Sequence, residues 1–154
     1  MTASLLATAA RIGALVAGHP RDVVEAVTAF GHHYGMALQV VDDLLDVVAT
    51  DEQLGKPAGN DLVEGTYTLP VIRALVGPSA DELRGLLGGP IDDASRDRVR
   101  EVVRGDEAIA ATRVTATDYL GQAVEAVDVL GDGPAAGSLR TTCDLLLARL
   151  DSAG

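Results

Sequence analysis

The sequence predicts an all-α protein, and three observations predict it. Apolar residues recur at helical spacing over long stretches. Aromatic residues make up only 3% of the chain, whereas sheets favour β-branched and aromatic side chains. Gly and Pro mark breaks at Gly18-His19-Pro20, Gly77-Pro78, Gly88-Gly89-Pro90 and Gly131 to Pro134, which bound segments read as helices. With 154 residues, 47% of them hydrophobic, the chain suits one folded domain over 1–154 that buries about two-thirds of its unfolded surface.

About seven helical segments follow in order. The first spans Ala3 to Val16 and stops at Gly18-His19-Pro20. Small and apolar residues surround it, as in a buried helix. The second spans Arg21 to Val48, with Pro20 suited to its first turn. Its apolar residues Val23, Val27, Phe30, Tyr34, Ala37, Val41, Leu44 and Val48 alternate steps of 4 and 3, one continuous stripe of a packed helix. Gly55, Pro57 and Gly59 make Thr50 to Asn60 a loop. A third helix, Asp61 to Leu75, takes Asn60 or Asp61 as N-cap. Ser79 or Asp81 caps a short helix reaching Leu87, which Gly88-Gly89-Pro90 breaks. Asp92 to Arg104 and Asp106 to Leu130 are further helices divided at Gly105, and Pro134 opens a last one ending near Leu150.

A net charge of −11 repels a phosphate backbone and argues against nucleic-acid binding. Phosphate-bearing substrates stay open if metal ions bridge the like charges. Cys143 is the only cysteine, so no internal disulfide forms, which suits the cytoplasm. No apolar run approaches the length of a membrane span. Near the N-terminus Arg11 follows the apolar run Leu5 to Ala10, the reverse of a signal peptide's order.

The second helix carries the most informative residues. At 100° per residue, Asp42 and Asp46 lie about 40° apart, Asp43 about 60° further round, and Gln39 between them. Gly31 and Gly35 point nearly the same way as Asp42, so that face is expected to leave room for a ligand above the glycines. Three carboxylates near a helix C-terminus are locally unfavourable, since they repel each other and oppose the macrodipole. A hard cation removes that cost, and Mg²⁺ favours one or two carboxylates plus substrate phosphate oxygens. In the following loop stands Lys56, the only lysine beside eleven arginines. On a glycine-rich loop it can reach a diphosphate as a point charge, and backbone N–H groups approach the ligand closely. Asp92, Asp93 and Asp97 read as a solvated helix start. His19, His32 and His33 show no ligand spacing, and Tyr67 and Tyr119 read as packing residues.

The segment Gly35-Met36-Ala37-Leu38-Gln39-Val40-Val41-Asp42-Asp43-Leu44-Leu45-Asp46, then Leu54-Gly55-Lys56-Pro57-Ala58-Gly59-Asn60-Asp61, then Thr68-Leu69-Pro70, resembles the second aspartate-rich region of trans-isoprenyl diphosphate synthases. Thr2-Ala3-Ser4 resembles the Lys-Thr-Ala-Ser segment of an earlier helix of that family. The resemblance implies the C-terminal half of an isoprenoid synthase-type helical bundle. It also implies a prenyltransferase joining an allylic diphosphate to isopentenyl diphosphate with Mg²⁺. By it, Asp42 and Asp46 ligate Mg²⁺ and Asp43 supports them. Lys56 grips the allylic diphosphate, Gln39 and Thr2 line the site, and Asp61 orders the loop.

Several family features are missing. The family's first DDxxD and its isopentenyl diphosphate-binding cations would precede Met1. Met1 and Thr66 stand where the family has lysines, and Leu38 where it usually has Phe. Altered substrate binding and an incomplete site in the isolated chain follow. Family members commonly dimerise, so a homo-oligomer or a complex with a homologous synthase is expected. The alternative is a non-catalytic helical partner of a full-length synthase. A terpene cyclase also uses DDxxD, but the Gly55-Lys56 and Thr68-Leu69-Pro70 elements argue against one.

Overall fold

The computed structural model describes residues 1–55 and 57–152. Every regular element among them is helical. In order they are α1 (Thr2–Val16), α2 (Arg21–Val48), α3 (Asp51–Leu54), α4 (Asn60–Val63), α5 (Leu69–Ala74), α6 (Ala80–Leu86), α7 (Asp93–Arg104), α8 (Ala108–Ala126), a 3₁₀ turn (Asp128–Leu130) and α9 (Pro134–Asp151). None of these is long and apolar enough to cross a membrane.

The all-α expectation holds, and α2 has the bounds its apolar stripe predicts. Nine α-helices among the described residues replace the expected seven or so, for local reasons. The expected loop after α2 contains α3, which a reciprocal capping box between Thr50 and Gln53 starts. The expected third helix is two. Gly65, in the left-handed region at φ 74°, ends the first piece. Thr68 then turns extended, and Pro70 sits in the first turn of α5. Gly59, not Asn60 or Asp61, is the N-cap of α4.

The chain forms two compact units. The first comprises residues 1–41 and 115–152. Its buried residues include Phe30, Ala37, Val40 and Val41 of α2, Ala116, Leu120 and Ala123 of α8, and Cys143, Leu146 and Leu150 of α9. Two expectations fail here. Helix α1 is not buried all round, since only Ala14 is covered. Leu5 is 70% exposed, Ile12 54%, Leu15 55% and Val16 84%. Nor does the face above Gly31 and Gly35 stay open, because α1 packs over it, although Gly31 also borders the cavity beside that contact. A β-carbon at Gly31 would lie 2.7 Å from the Leu6 carbonyl oxygen. Small residues there let two helix backbones touch. Beside this contact lies an apolar cavity of about 650 Å³ between α1, the first half of α2 and the start of α9, with Ala10, Gly13, Val27, Phe30, Pro134 and Leu139 in its wall.

The second unit comprises residues 42–114. Its core gathers Val47 of α2, Leu62 of α4, Val71 and Ala74 of α5, Leu83 of α6, Val99 and Val103 of α7, and Ala108 of α8. Asp92 starts α7 by accepting the Ser95 backbone N–H at 2.8 Å. This is the solvated helix start expected of that acidic cluster.

Candidate functional site

The acidic turn of α2 belongs to the second unit. Asp42 is exposed and Asp43 half-buried, whereas Asp46 is only 5% exposed. Asp46 is tied to the following loop in two ways. Its backbone carbonyl accepts the Gly59 N–H at 2.9 Å, and its Oδ2 accepts the Asp61 N–H at 3.4 Å. The near side of the loop is fixed to α3. There Gly55 donates to the Asp51 carbonyl at 2.8 Å, and Ala58 N–H donates to Asp51 Oδ1 at 2.9 Å. The segment that carries Lys56 is thus anchored at both ends, while Lys56 itself lies outside the described residues. Thr66, where a second lysine was expected by resemblance, is exposed and donates its N–H to the Asp61 carbonyl at 2.8 Å.

A helix of this kind ends on carbonyls that lack intrahelical donors. In α2 two guanidinium groups supply them. Arg100 donates to the carbonyls of Val47 at 3.2 Å and Ala49 at 2.6 Å. Arg104 donates to Val47 at 3.0 Å, Val48 at 3.2 Å and Ala49 at 3.3 Å. Two cations at a helix C-terminus complement its macrodipole, which offsets the cost of acidic residues in the same turns. Burial, and then the neighbouring Arg104, hold the Arg100 guanidinium below its usual pKa. Sequence reasoning missed both arginines. The bonds from Arg100 to Val47 and from Arg104 to Val47 span 53 and 57 residues, and no local pattern announces such a pairing.

In the first unit, two other predicted site residues meet. Thr2 Oγ1 donates to Gln39 Oε1 at 3.3 Å, joining α1 to α2. His33, which shows no ligand spacing, stacks on Tyr119 with ring centroids 6.4 Å apart. Its pKa is lowered by burial and then by His32.

Among the described residues, no three His, Cys, Asp or Glu side chains gather to hold a metal by themselves. What Asp42 and Asp46 offer is a pair of carboxylates one helical turn apart. Oxygen donors of this kind suit a hard divalent cation that completes its shell with water and phosphate oxygens.

The family model described as polyprenyl synthetase matches residues 1–105. The chain belongs to the polyprenyl synthetase family. Among the relatives it matches, heptaprenyl diphosphate synthase component 2 of Geobacillus stearothermophilus is 39% identical over 90% of this chain and 43% of that protein. Nonaprenyl diphosphate synthase of Mycobacterium tuberculosis is 33% identical over 96% of this chain and 45% of its own length. The crystal structure of a geranylgeranyl pyrophosphate synthase from Corynebacterium glutamicum, complexed with calcium and isoprenyl diphosphate, superposes with a TM-score of 0.88 at 33% identity. It covers 97% of this chain and 47% of that one. This polyprenyl synthetase chain therefore spans less than half the length of these relatives.

Proposed function

We propose that this chain supplies the C-terminal portion of a cytoplasmic trans-prenyltransferase that condenses an allylic diphosphate with isopentenyl diphosphate. The observation that carries the reading is the pair of bonds from Gly59 and Asp61 to Asp46. They fasten the Lys56-bearing loop to the last turns of the acidic helix. The relatives' names support the same chemistry, and the Corynebacterium structure that resembles this chain holds a divalent cation and an isoprenyl diphosphate.

In this reading Asp42 and Asp46 hold Mg²⁺ and Asp43 supports them. Bound there, Mg²⁺ would supply positive charge against the diphosphate as it departs. Lys56 adds a point charge on the same diphosphate. Asp61 orders the loop through its backbone bond to Asp46. The allylic C–O bond breaks, the isopentenyl double bond attacks the resulting cation, and a proton leaves the product.

Calorimetry with an allylic diphosphate tests the reading. The expected result is Mg²⁺-dependent binding without chain elongation by this chain alone. Equal binding without metal would count against it.

A second reading makes the chain a non-catalytic helical partner of a full-length homologous synthase. The exposed apolar residues of α1 favour a partner of some kind, and two relatives are named as component 2 of a heptaprenyl diphosphate synthase. Co-purification with a full-length homologous synthase that survives Asp42→Ala would favour this second reading.

A further inference from the structure

Arg100 stands between the two pieces that the acidic turn must hold together. Its head bonds the carbonyls of Val47 and Ala49, which are 2% exposed, and Arg100 itself is 8% exposed. Its aliphatic stem lies under Gly59. A β-carbon on Gly59 would come within 2.6 Å of Arg100 Cδ and 3.0 Å of Arg96 Cγ. Gly59 adopts φ 75°, which L side chains rarely take, so both shape and conformation demand glycine there. The same Gly59 donates its N–H to the Asp46 carbonyl.

Burying a guanidinium is costly, and apolar residues of similar volume often pack as stably. Packing alone therefore gives no reason for a buried cation here. The bonds do, because Arg100 holds the Val47 and Ala49 carbonyls at the end of the acidic helix, and Arg104 beside it adds the Val48 carbonyl between them.

We propose that Arg100, with Arg104 beside it, is a positioning residue for the candidate site. It caps the C-terminus of α2 and seats Gly59, and so sets Asp46 and the stretch from Gly59 to Asp61 against each other. The inference rests on the diphosphate-binding reading above and adds residues to it. Neither arginine touches the ligand in this role; both act through Asp46 and the loop backbone.

The test uses the purified chain with Mn²⁺ and inorganic pyrophosphate, read by electron paramagnetic resonance. Amide hydrogen exchange over residues 57–62 is the readout that needs no ligand. Arg100→Met keeps an apolar stem under Gly59 and removes the head. The expected result is an unchanged helical circular dichroism spectrum, faster exchange at Gly59 and Asp61, and Mn²⁺–pyrophosphate affinity lower by about tenfold, the scale of one lost charged hydrogen bond. Arg100→Lys should recover part of that affinity, and Arg104→Gln should cost less than Arg100→Met. Gly59→Ala should cost less in the Arg100→Met background than alone, since a stem no longer anchored to the Val47 and Ala49 carbonyls can yield to the new β-carbon.

A folded Arg100→Met chain with wild-type exchange and wild-type affinity overturns the proposal. Should Arg100→Met fail to fold, Arg104→Gln decides in the same way. Absence of pyrophosphate binding in the wild type sinks the site reading instead, and the exchange result still judges the cap.

Discussion

Gly35 of α2 lies directly against Ala3 of α1: a β-carbon on Gly35 would sit 2.5 Å from the Ala3 Cα. Two helix backbones meet there with no side chain between them. Gly35→Ala must push α1 away, at a cost of about 1–3 kcal/mol for an overpacked contact. Gly121→Ala in α8 is the control. Its β-carbon meets nothing within 4 Å, so it should stabilise by about 0.5–1 kcal/mol. Thermal melts of both variants check the pair, and equal melting temperatures would contradict the packing described.

The core of the second unit should be sensitive at one fully covered position. Leu83 is 0% exposed and sits among Val71, Ala74, Val99 and Val103. Leu83→Ala should cost about 2–5 kcal/mol in urea unfolding. Leu145→Ala, at a site 66% exposed, should stay within about 0.5 kcal/mol of wild type.

Cys143 should be chemically silent in the folded chain. It is 3% exposed, and burial, then the charge of Asp144, pushes its thiol pKa up to about 11. Almost no thiolate exists at pH 8, and the thiolate is the reactive form. A disulfide reagent should leave the native protein unmodified and label it fully in denaturant. Rapid labelling of the native chain would place the thiol at the surface.

The N-cap of α7 should carry a pH signature. Backbone and side-chain bonds from Ser95 hold the Asp92 carboxyl below its ordinary value of 3.8. A depressed folded-state pKa means stability that is present above the unfolded value and is lost as pH falls through the folded one. Asp92→Asn should therefore flatten part of the acid limb below about pH 4 and leave the melt at pH 7 little changed, because Asn also caps well. An identical acid limb in the variant would show that the carboxyl contributes nothing.

The outer face of α1 should drive association. Ile12 and Leu15 are more than half exposed, at 54% and 55%, and exposed apolar patches mark contact surfaces. Sedimentation at micromolar concentration should show species larger than the monomer, and Ile12→Glu with Leu15→Glu should return the chain to monomer. A cooperative wild-type monomer would refute this.

How much of this was legible beforehand follows from the range of each signal. The 4-and-3 spacing from Val23 to Val48 located α2 to the residue, because a helix's buried stripe is written in its own sequence. The spacing of Asp42, Asp43 and Asp46 follows from the same helix, whereas Lys56 lies outside the described residues. Gly65 and Pro70 both stand inside the single helix expected from Asp61 to Leu75, and the left-handed turn at one and the ring of the other divide it. Gly31 and Gly35 were seen as small, yet smallness alone does not say whether a ligand or a helix takes the space. Arg100 and Arg104 were indistinguishable from surface arginines, because their partners lie more than 50 residues away.

That distance has a consequence for how the chain acquires its shape. Val47 and Ala49 wait for donors that a growing polypeptide delivers only after α7 has been made. Until then the carbonyls at the end of α2 lack their guanidinium partners. Bringing those donors back across more than 50 residues costs loop-closure entropy, so the turn that bears Asp46 reaches its full set of bonds only when α7 is in place.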